Sequence, residues 1–172
     1  KFNVVYANDF NKDACSSYEG YYKFKPEHKD IKLIETIPDC DIMLGGFPCQ
    51  GFTTSNNVRD INDNRNKLYL ELVRLLKLKK PKYFIFENVK GLLSMGGYET
   101  KQDKKQKTGR VFKQILNDLT ECGYKVQHKL FRMKYYNTAQ MRERVIILGI
   151  RNDINNTITF PPENKNITKT LN

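Results

Sequence analysis

Three short stretches carry residue types suited to making and breaking bonds: Pro48-Cys49-Gln50, Glu87-Asn88-Val89 and Gln140-Met141-Arg142-Glu143-Arg144. A cysteine thiolate is both a nucleophile and a good leaving group. A carboxyl whose pKa is raised by burial can act as a general acid. A guanidinium offers a fixed, permanently charged fork of donors for an oxygen or phosphate. Each residue also has a plainer explanation. Cys49 suits a small buried residue at a turn, Glu87 a surface carboxylate, and Arg142 and Arg144 a solvated basic strand edge.

The elements around these stretches place all three at strand boundaries. Asp41-Ile42-Met43-Leu44 reads as a short buried strand broken by Gly45, Gly46 and Pro48, so Cys49 stands where a strand gives way to a long polar loop. The loop, Gln50 to Asn66, holds few apolar anchors and is expected to be mobile without a ligand. Lys82 to Phe86 is rich in aromatic and β-branched residues, a strand ending in Glu87. Val145 to Ile150 is a buried strand preceded by the two arginines. In α/β sheets the crevice beyond the carboxyl ends of strands is where ligands bind.

The remaining chain supplies the alternation that such a sheet needs. Val4 to Ala7 reads as a buried strand, ended by Asn8-Asp9 and followed by a helix over Lys12 to Tyr18. Asp9 suits either a ribose-binding acid at a strand end or, with Asn8, a helix N-cap. Leu68, Leu72, Leu75 and Leu76 recur at helical spacing within Lys67 to Lys79. Val111, Phe112, Ile115, Leu116 and Leu119 form a second helix face, and Tyr124 to Met133 reads as a strand. Tyr98 to Lys107 is polar, basic and aperiodic, and predicts a mobile surface loop. Strands alternating with helices predict an α/β fold with a largely parallel sheet.

Composition narrows the partners. The 172 residues carry 30 Lys+Arg against 19 Asp+Glu, a formal charge of +11, which favours a polyanion, most often nucleic acid. Cys15, Cys40, Cys49 and Cys122 form no Cys-x-x-Cys pair, and His28 and His128 lie near no cysteine cluster. Neither a metal site nor a disulfide framework is expected, in keeping with a reducing cytoplasm. No apolar run is long enough to span a membrane, and the first residues do not read as a signal peptide.

Taken in order, Pro48-Cys49-Gln50, Glu87-Asn88-Val89 and Gln140-x-Arg142-x-Arg144 resemble the cytosine-C5 DNA methyltransferases, over about Val4 to Arg151. The resemblance implies a Rossmann-like S-adenosylmethionine-dependent methyltransferase sheet and methyl transfer to C5 of a cytosine flipped out of double-stranded DNA. Cys49 would add to C6, Glu87 would assist at N3, Arg144 would hold the base and Arg142 support the same region. Asn88 would brace the catalytic loop, with Gln140 opening the arginine motif. For S-adenosylmethionine the resemblance implies Asp9 at the ribose hydroxyls, Phe10 against adenine, Asp30 and Ile31 as further adenine contacts, and Pro48 and Leu68 lining the pocket. Asn137 and Ala139 replace the Gly and Pro usual before the glutamine, and bear on local backbone shape.

The family's first glycine-rich motif and its target-recognition region are expected outside this stretch. Residues 1–151 then form a partial catalytic domain, residues 152–172 a linker toward the recognition region, and the sheet is incomplete. On that expectation the chain alone is inactive, and a second polypeptide or further chain segment supplies the missing parts. Two rivals share the residues: an RNA cytosine-5 methyltransferase, and a non-catalytic nucleic-acid-binding subunit of a split enzyme. The family's setting would be bacterial DNA in the cytoplasm.

Overall fold

A computed structural model describes residues 2–48 and 68–164. Cys49 and the Gln50 to Asn66 loop lie outside the described residues, as does the end of the tail beyond residue 164. In chain order the elements are β1 (Asn8–Asp9), α1 (Lys12–Tyr22), β2 (Glu27–His28), β3 (Ile42–Gly46), α2 (Leu68–Lys79), β4 (Tyr83–Val89), α3 (Lys101–Gln106), α4 (Arg110–Glu121), β5 (Tyr124–Arg132) and β6 (Glu143–Arg151). Short 3-10 turns lie at Ile31–Leu33, Lys90–Ser94 and Met133–Tyr136.

The strands form two sheets. β1 and β2 pair in parallel, and the larger sheet runs β3-β4-β6-β5. β3 and β4 are parallel, whereas β6 is antiparallel to both β4 and β5. Parallel pairing needs a long crossover, supplied between β3 and β4 by a connection containing α2. The short link from Arg132 to Glu143 returns the chain at once and makes β5–β6 an antiparallel hairpin.

One face of the large sheet is packed into the core. Phe84 and Phe86 stack at 4.6 Å, and Tyr124 meets Phe84 edge-on at 5.1 Å. The Tyr124 hydroxyl donates to the Pro81 carbonyl at 2.7 Å, so this buried phenol is satisfied. Leu72, Val73, Leu75 and Leu76 of α2, with Phe112, Ile115 and Leu119 of α4, complete the core. In β4 the burial alternates: Phe84, Phe86 and Asn88 point inward, and Glu87 is on the opposite face.

Three sequence expectations are corrected. Val4 to Ala7 is not a buried strand: Val4 and Val5 are exposed, and the strand is Asn8–Asp9. Apolar character alone does not make a strand. β2 offers only Glu27 and His28 as ladder partners, in register with Asn8 and Asp9. Gly45 and Gly46 do not break β3; they continue it, paired with Phe86 and Glu87, and Leu44 is exposed rather than buried. Gly45 fits because a Cβ there would stand 3.0 Å from the Leu72 side chain.

The Tyr98 to Lys107 run is not a mobile loop. It contains α3, opened by a capping box: the Thr100 hydroxyl accepts from the Asp103 amide while the Asp103 carboxylate accepts from the Thr100 amide. Asp103 is buried and pairs with Lys113 of α4 at 2.7 Å, which holds its carboxyl below the usual carboxylate range. Six residues are too few to show a helical period, and the capping pair was the readable signal.

Beyond β6, residues 152–164 run along the hairpin. Phe160 packs edge-on against Phe131 at 5.9 Å, and Lys129 and the Tyr136 hydroxyl both donate to the Pro161 carbonyl.

Candidate active site

The parallel ladder brings two of the three motifs to one corner. Gly46, the last residue of β3, is in register with Glu87 of β4, and Cys49 follows three residues later in the chain. A Cβ on residue 46 would lie 3.8 Å from Glu87 Oε2, so the glycine leaves room beside the carboxylate. The antiparallel ladder brings the third motif to the same corner, with Arg144 opposite Val89.

Arg144 reaches back to Glu87, with Nε 2.7 Å from Oε1. Its Nη1 donates to the Glu143 carbonyl at 2.8 Å. Glu87 is half-exposed rather than buried as expected, because it sits on the sheet face opposite the core. The pair holds both side chains in place.

Asn88 points the other way, into the core. Its side-chain amide donates to the Phe47 carbonyl at 2.9 Å, and its oxygen accepts from the Val89 amide at 2.8 Å. It thus ties the end of β4 to the backbone just upstream of Pro48 and Cys49. Gln140 and Arg142 are exposed on the link before β6, where the Arg142 carbonyl accepts from the Met133 amide. They flank the corner without joining the Glu87–Arg144 pair. Asn137 has φ 60°, the left-handed conformation that asparagine tolerates better than most residues. It preserves the backbone shape for which glycine is usual.

Sequence reasoning missed Glu143. Its carboxylate bridges Lys90 at 2.6 Å and Arg132 at 2.9 Å, and these two cations, Lys90 first, hold it below the usual range. The bridge fastens the turn after β4 to the hairpin that carries Arg144. A carboxylate between two motif arginines was the only signal in the sequence.

Asp9, Phe10, Asp30 and Ile31, four of the expected cofactor residues, lie at or just past the carboxyl ends of β1 and β2. Asp9 and His28 are in register. Asp9 accepts from the Asn11 amide through Oδ1, and the α1 N-cap is Asn11, not Asn8 or Asp9. Asn8 instead bridges the Glu27 and Lys29 carbonyls. Phe10 is 77% exposed, while His28 Nε2 lies 3.0 Å from its carbonyl oxygen. Asp30 caps the turn at Ile31–Leu33 through a bond from the Lys32 amide. An exposed aromatic face with a carboxylate at Asp9 and another at Asp30 fits an adenosine: a ring to stack on the base, an acceptor for ribose hydroxyls at Asp9 and an acceptor for the base edge at Asp30. Leu68 opens α2, and Pro48 ends the described stretch after β3.

The other thiols are poorly suited to attack. Burial pushes the Cys40 and Cys122 thiols up, and Cys15 is the buried residue of α1, its thiol donating to the Asp9 carbonyl. No helix among the described residues is long and apolar enough to cross a membrane.

Comparison with known proteins places the chain in a family. The chain is 39% identical over 165 residues to Type II methyltransferase M.BspRI of Lysinibacillus sphaericus, covering 93% of this chain and 35% of that protein. It is 40% identical over 163 residues to Type II methyltransferase M.FnuDI of Fusobacterium nucleatum, covering 93% of this chain and 44% of that protein. The chain therefore spans well under half the length of these curated relatives. In fold it is similar to the Entamoeba histolytica methyltransferase EhMeth, with TM-score 0.66, 23% identity and coverage of 95% of this chain and 49% of that one. The Spodoptera frugiperda DNMT2 structure gives TM-score 0.65 at 24% identity, covering 94% and 46%. The match to the family described as C-5 cytosine-specific DNA methylase runs over residues 1–172, and the chain belongs to that family.

Proposed function

We propose that this chain carries the catalytic chemistry of a DNA cytosine-5 methyltransferase. The observation that supports it best is the Glu87–Arg144 pair, held beside Gly46 at the corner from which Cys49 continues. The target cytosine leaves the stack, because Cys49 must approach C6 from the face of the ring. The thiolate bonds to C6, and the displaced electron pair moves through the ring toward N3. Glu87 gives a proton there, and Arg144 holds O2. This makes C5 electron-rich. S-adenosylmethionine, the cofactor of the family, supplies an electrophilic methyl group when bound. A water molecule takes the C5 proton, the thiolate is expelled from C6 to restore the C5–C6 double bond, and the N3 proton returns to the Glu87 carboxylate.

Asp9, Phe10, Asp30, Ile31, Pro48 and Leu68 hold the adenosine end, and Asn88 fixes the start of the catalytic loop through the Phe47 carbonyl. Arg142 and Gln140 serve the DNA side. The net charge of +11 suits a duplex, with affinity that falls as salt rises. The bacterial origin of the two relatives supports action on nucleoid DNA in a cytoplasm.

Duplex DNA carrying 5-fluorocytosine, given with S-adenosylmethionine to the enzyme completed with the family's other motifs, tests the reading, because fluorine at C5 blocks the final elimination and leaves the protein covalently trapped. Trapping that survives Cys49→Ala removes Cys49 as the nucleophile. Loss of trapping on Cys15→Ala, Cys40→Ala or Cys122→Ala points to another thiol. A parallel arm with tRNA distinguishes DNA from RNA.

A further inference from the structure

Arg74 lies on α2, away from the Glu87–Arg144 corner, and no role in the reaction has been given to it above. Its Nη2 donates to two main-chain carbonyls, Ile34 at 2.7 Å and Ile31 at 3.1 Å. Its Nε is held by Glu71 at 2.8 Å, one helical turn earlier. The two carbonyls belong to the turn at Ile31–Leu33 and the residue that closes it. The Ile31 carbonyl already accepts from the Ile34 amide at 3.2 Å inside the turn, so Arg74 is its second donor. The Ile34 carbonyl lies past the last turn residue, where no donor of the turn reaches it, and takes its donor from α2. A fixed guanidinium fork can serve two oxygens at once, which an ammonium on a flexible stem does less well.

The turn has few other anchors. β2, just before it, is two residues long and pairs only with β1. Ile34 is buried in the core and Ile31 packs against it, so the apolar side chains set the depth of the turn. The guanidinium sets its position along α2. Asp30, the cap of this turn, and Ile31, its first residue, are the adenine contacts in the function proposed above. Leu68, in the same pocket, opens the helix that carries Arg74.

We infer that Arg74 is a positioning residue for adenine recognition: it locks the Asp30–Ile31 turn to α2, so that both sides of the adenine pocket keep one spacing. This rests on the cofactor reading and deepens it. Arg74 itself touches neither cofactor nor DNA.

The test compares S-adenosylhomocysteine with its deaminated form, S-inosylhomocysteine, by calorimetry on the full chain. The two ligands differ only at the base edge, so their affinity ratio reports the adenine pocket and not general stability. Wild type is expected to prefer the adenine form. Arg74→Met keeps the stem and removes the fork. It is expected to lose roughly tenfold in S-adenosylhomocysteine affinity, with the preference collapsing toward unity and cooperative unfolding retained. Arg74→Lys is expected to fall between the two, and to decide the matter if Arg74→Met does not fold. An unchanged preference in Arg74→Met, or in Arg74→Lys where only that variant folds, overturns the inference. A wild-type chain without any preference overturns the cofactor reading, and the inference with it.

Discussion

Arg144 sits diagonally across the β4–β6 ladder from Glu87. Glu87 is directly opposite Ile146, and Arg144 opposite Val89, yet Arg144 Nε lies 2.7 Å from Glu87 Oε1. The two share the sheet face opposite the core, two residues apart in register, within reach of a long side chain.

Glu87→Gln keeps the shape of the side chain and removes the acid. If Glu87 assists at N3, the loss falls on turnover and not on DNA binding, because the interaction is made in the transition state. A decrease of roughly 10²–10⁴-fold in kcat is expected, with duplex affinity nearly unchanged. Single-turnover methyl transfer by the enzyme completed with the family's glycine-rich motif and recognition region, with a separate binding titration, measures both. Near-normal turnover would take Glu87 out of the mechanism.

Asn88→Ala removes the donor to the Phe47 carbonyl from a site that is 3% exposed. Leaving a buried carbonyl unpaired costs about 1–3 kcal/mol. A lowered Tm is expected in thermal unfolding, and Asn88→Asp should share it, since the carboxylate cannot donate. If either variant matches wild type, the Asn88–Phe47 bond contributes no stability.

Gly149→Ala should be among the most damaging small changes. A Cβ at 149 would stand 2.0 Å from the Phe84 ring, in the middle of the core. Overpacking of this kind costs about 1–3 kcal/mol, sometimes more. Phe84→Leu in the same chain makes room, so the double variant is expected to lose less than the two single losses added together. Strict additivity in denaturant unfolding would refute the clash.

Glu143→Gln tests the bridge between Lys90 and Arg132. Both cations hold the Glu143 carboxyl below its ordinary value of 4.5. A carboxylate whose folded pKa is depressed contributes stability above its unfolded value, and that contribution is lost as pH falls through the folded one. The variant is therefore expected to melt below wild type at neutral pH, with the gap closing as pH drops below 4.5. The groups are partly exposed, so the gap is small and shrinks with added salt. A gap independent of pH would mean that the ion pairs are not its source.

The catalytic corner was legible in the sequence because its parts are local. Strand ends announce themselves through apolar runs, and Glu87 and Arg144 stand directly beside such runs. The Val4 to Ala7 segment misled because burial depends on what lies alongside, and hydropathy does not report it. The α3 helix was hidden by its brevity, and the Arg74 clamp because it joins residues 40 and 43 positions apart through main-chain oxygens. A carbonyl acceptor leaves no mark on residue identity, so no pattern of side chains announces it.

The in-register pairing of Gly46 with Glu87 acts as a ruler. Inter-strand hydrogen bonds, not the length of the intervening chain, set the distance between the nucleophile's strand and the acid's strand. Between Gln50 and α2 the connection can therefore gain or lose residues without altering the spacing of the two strands. Related proteins should tolerate insertions and deletions there, while an odd shift of the ladder itself would turn Glu87 to the opposite face and silence the chemistry.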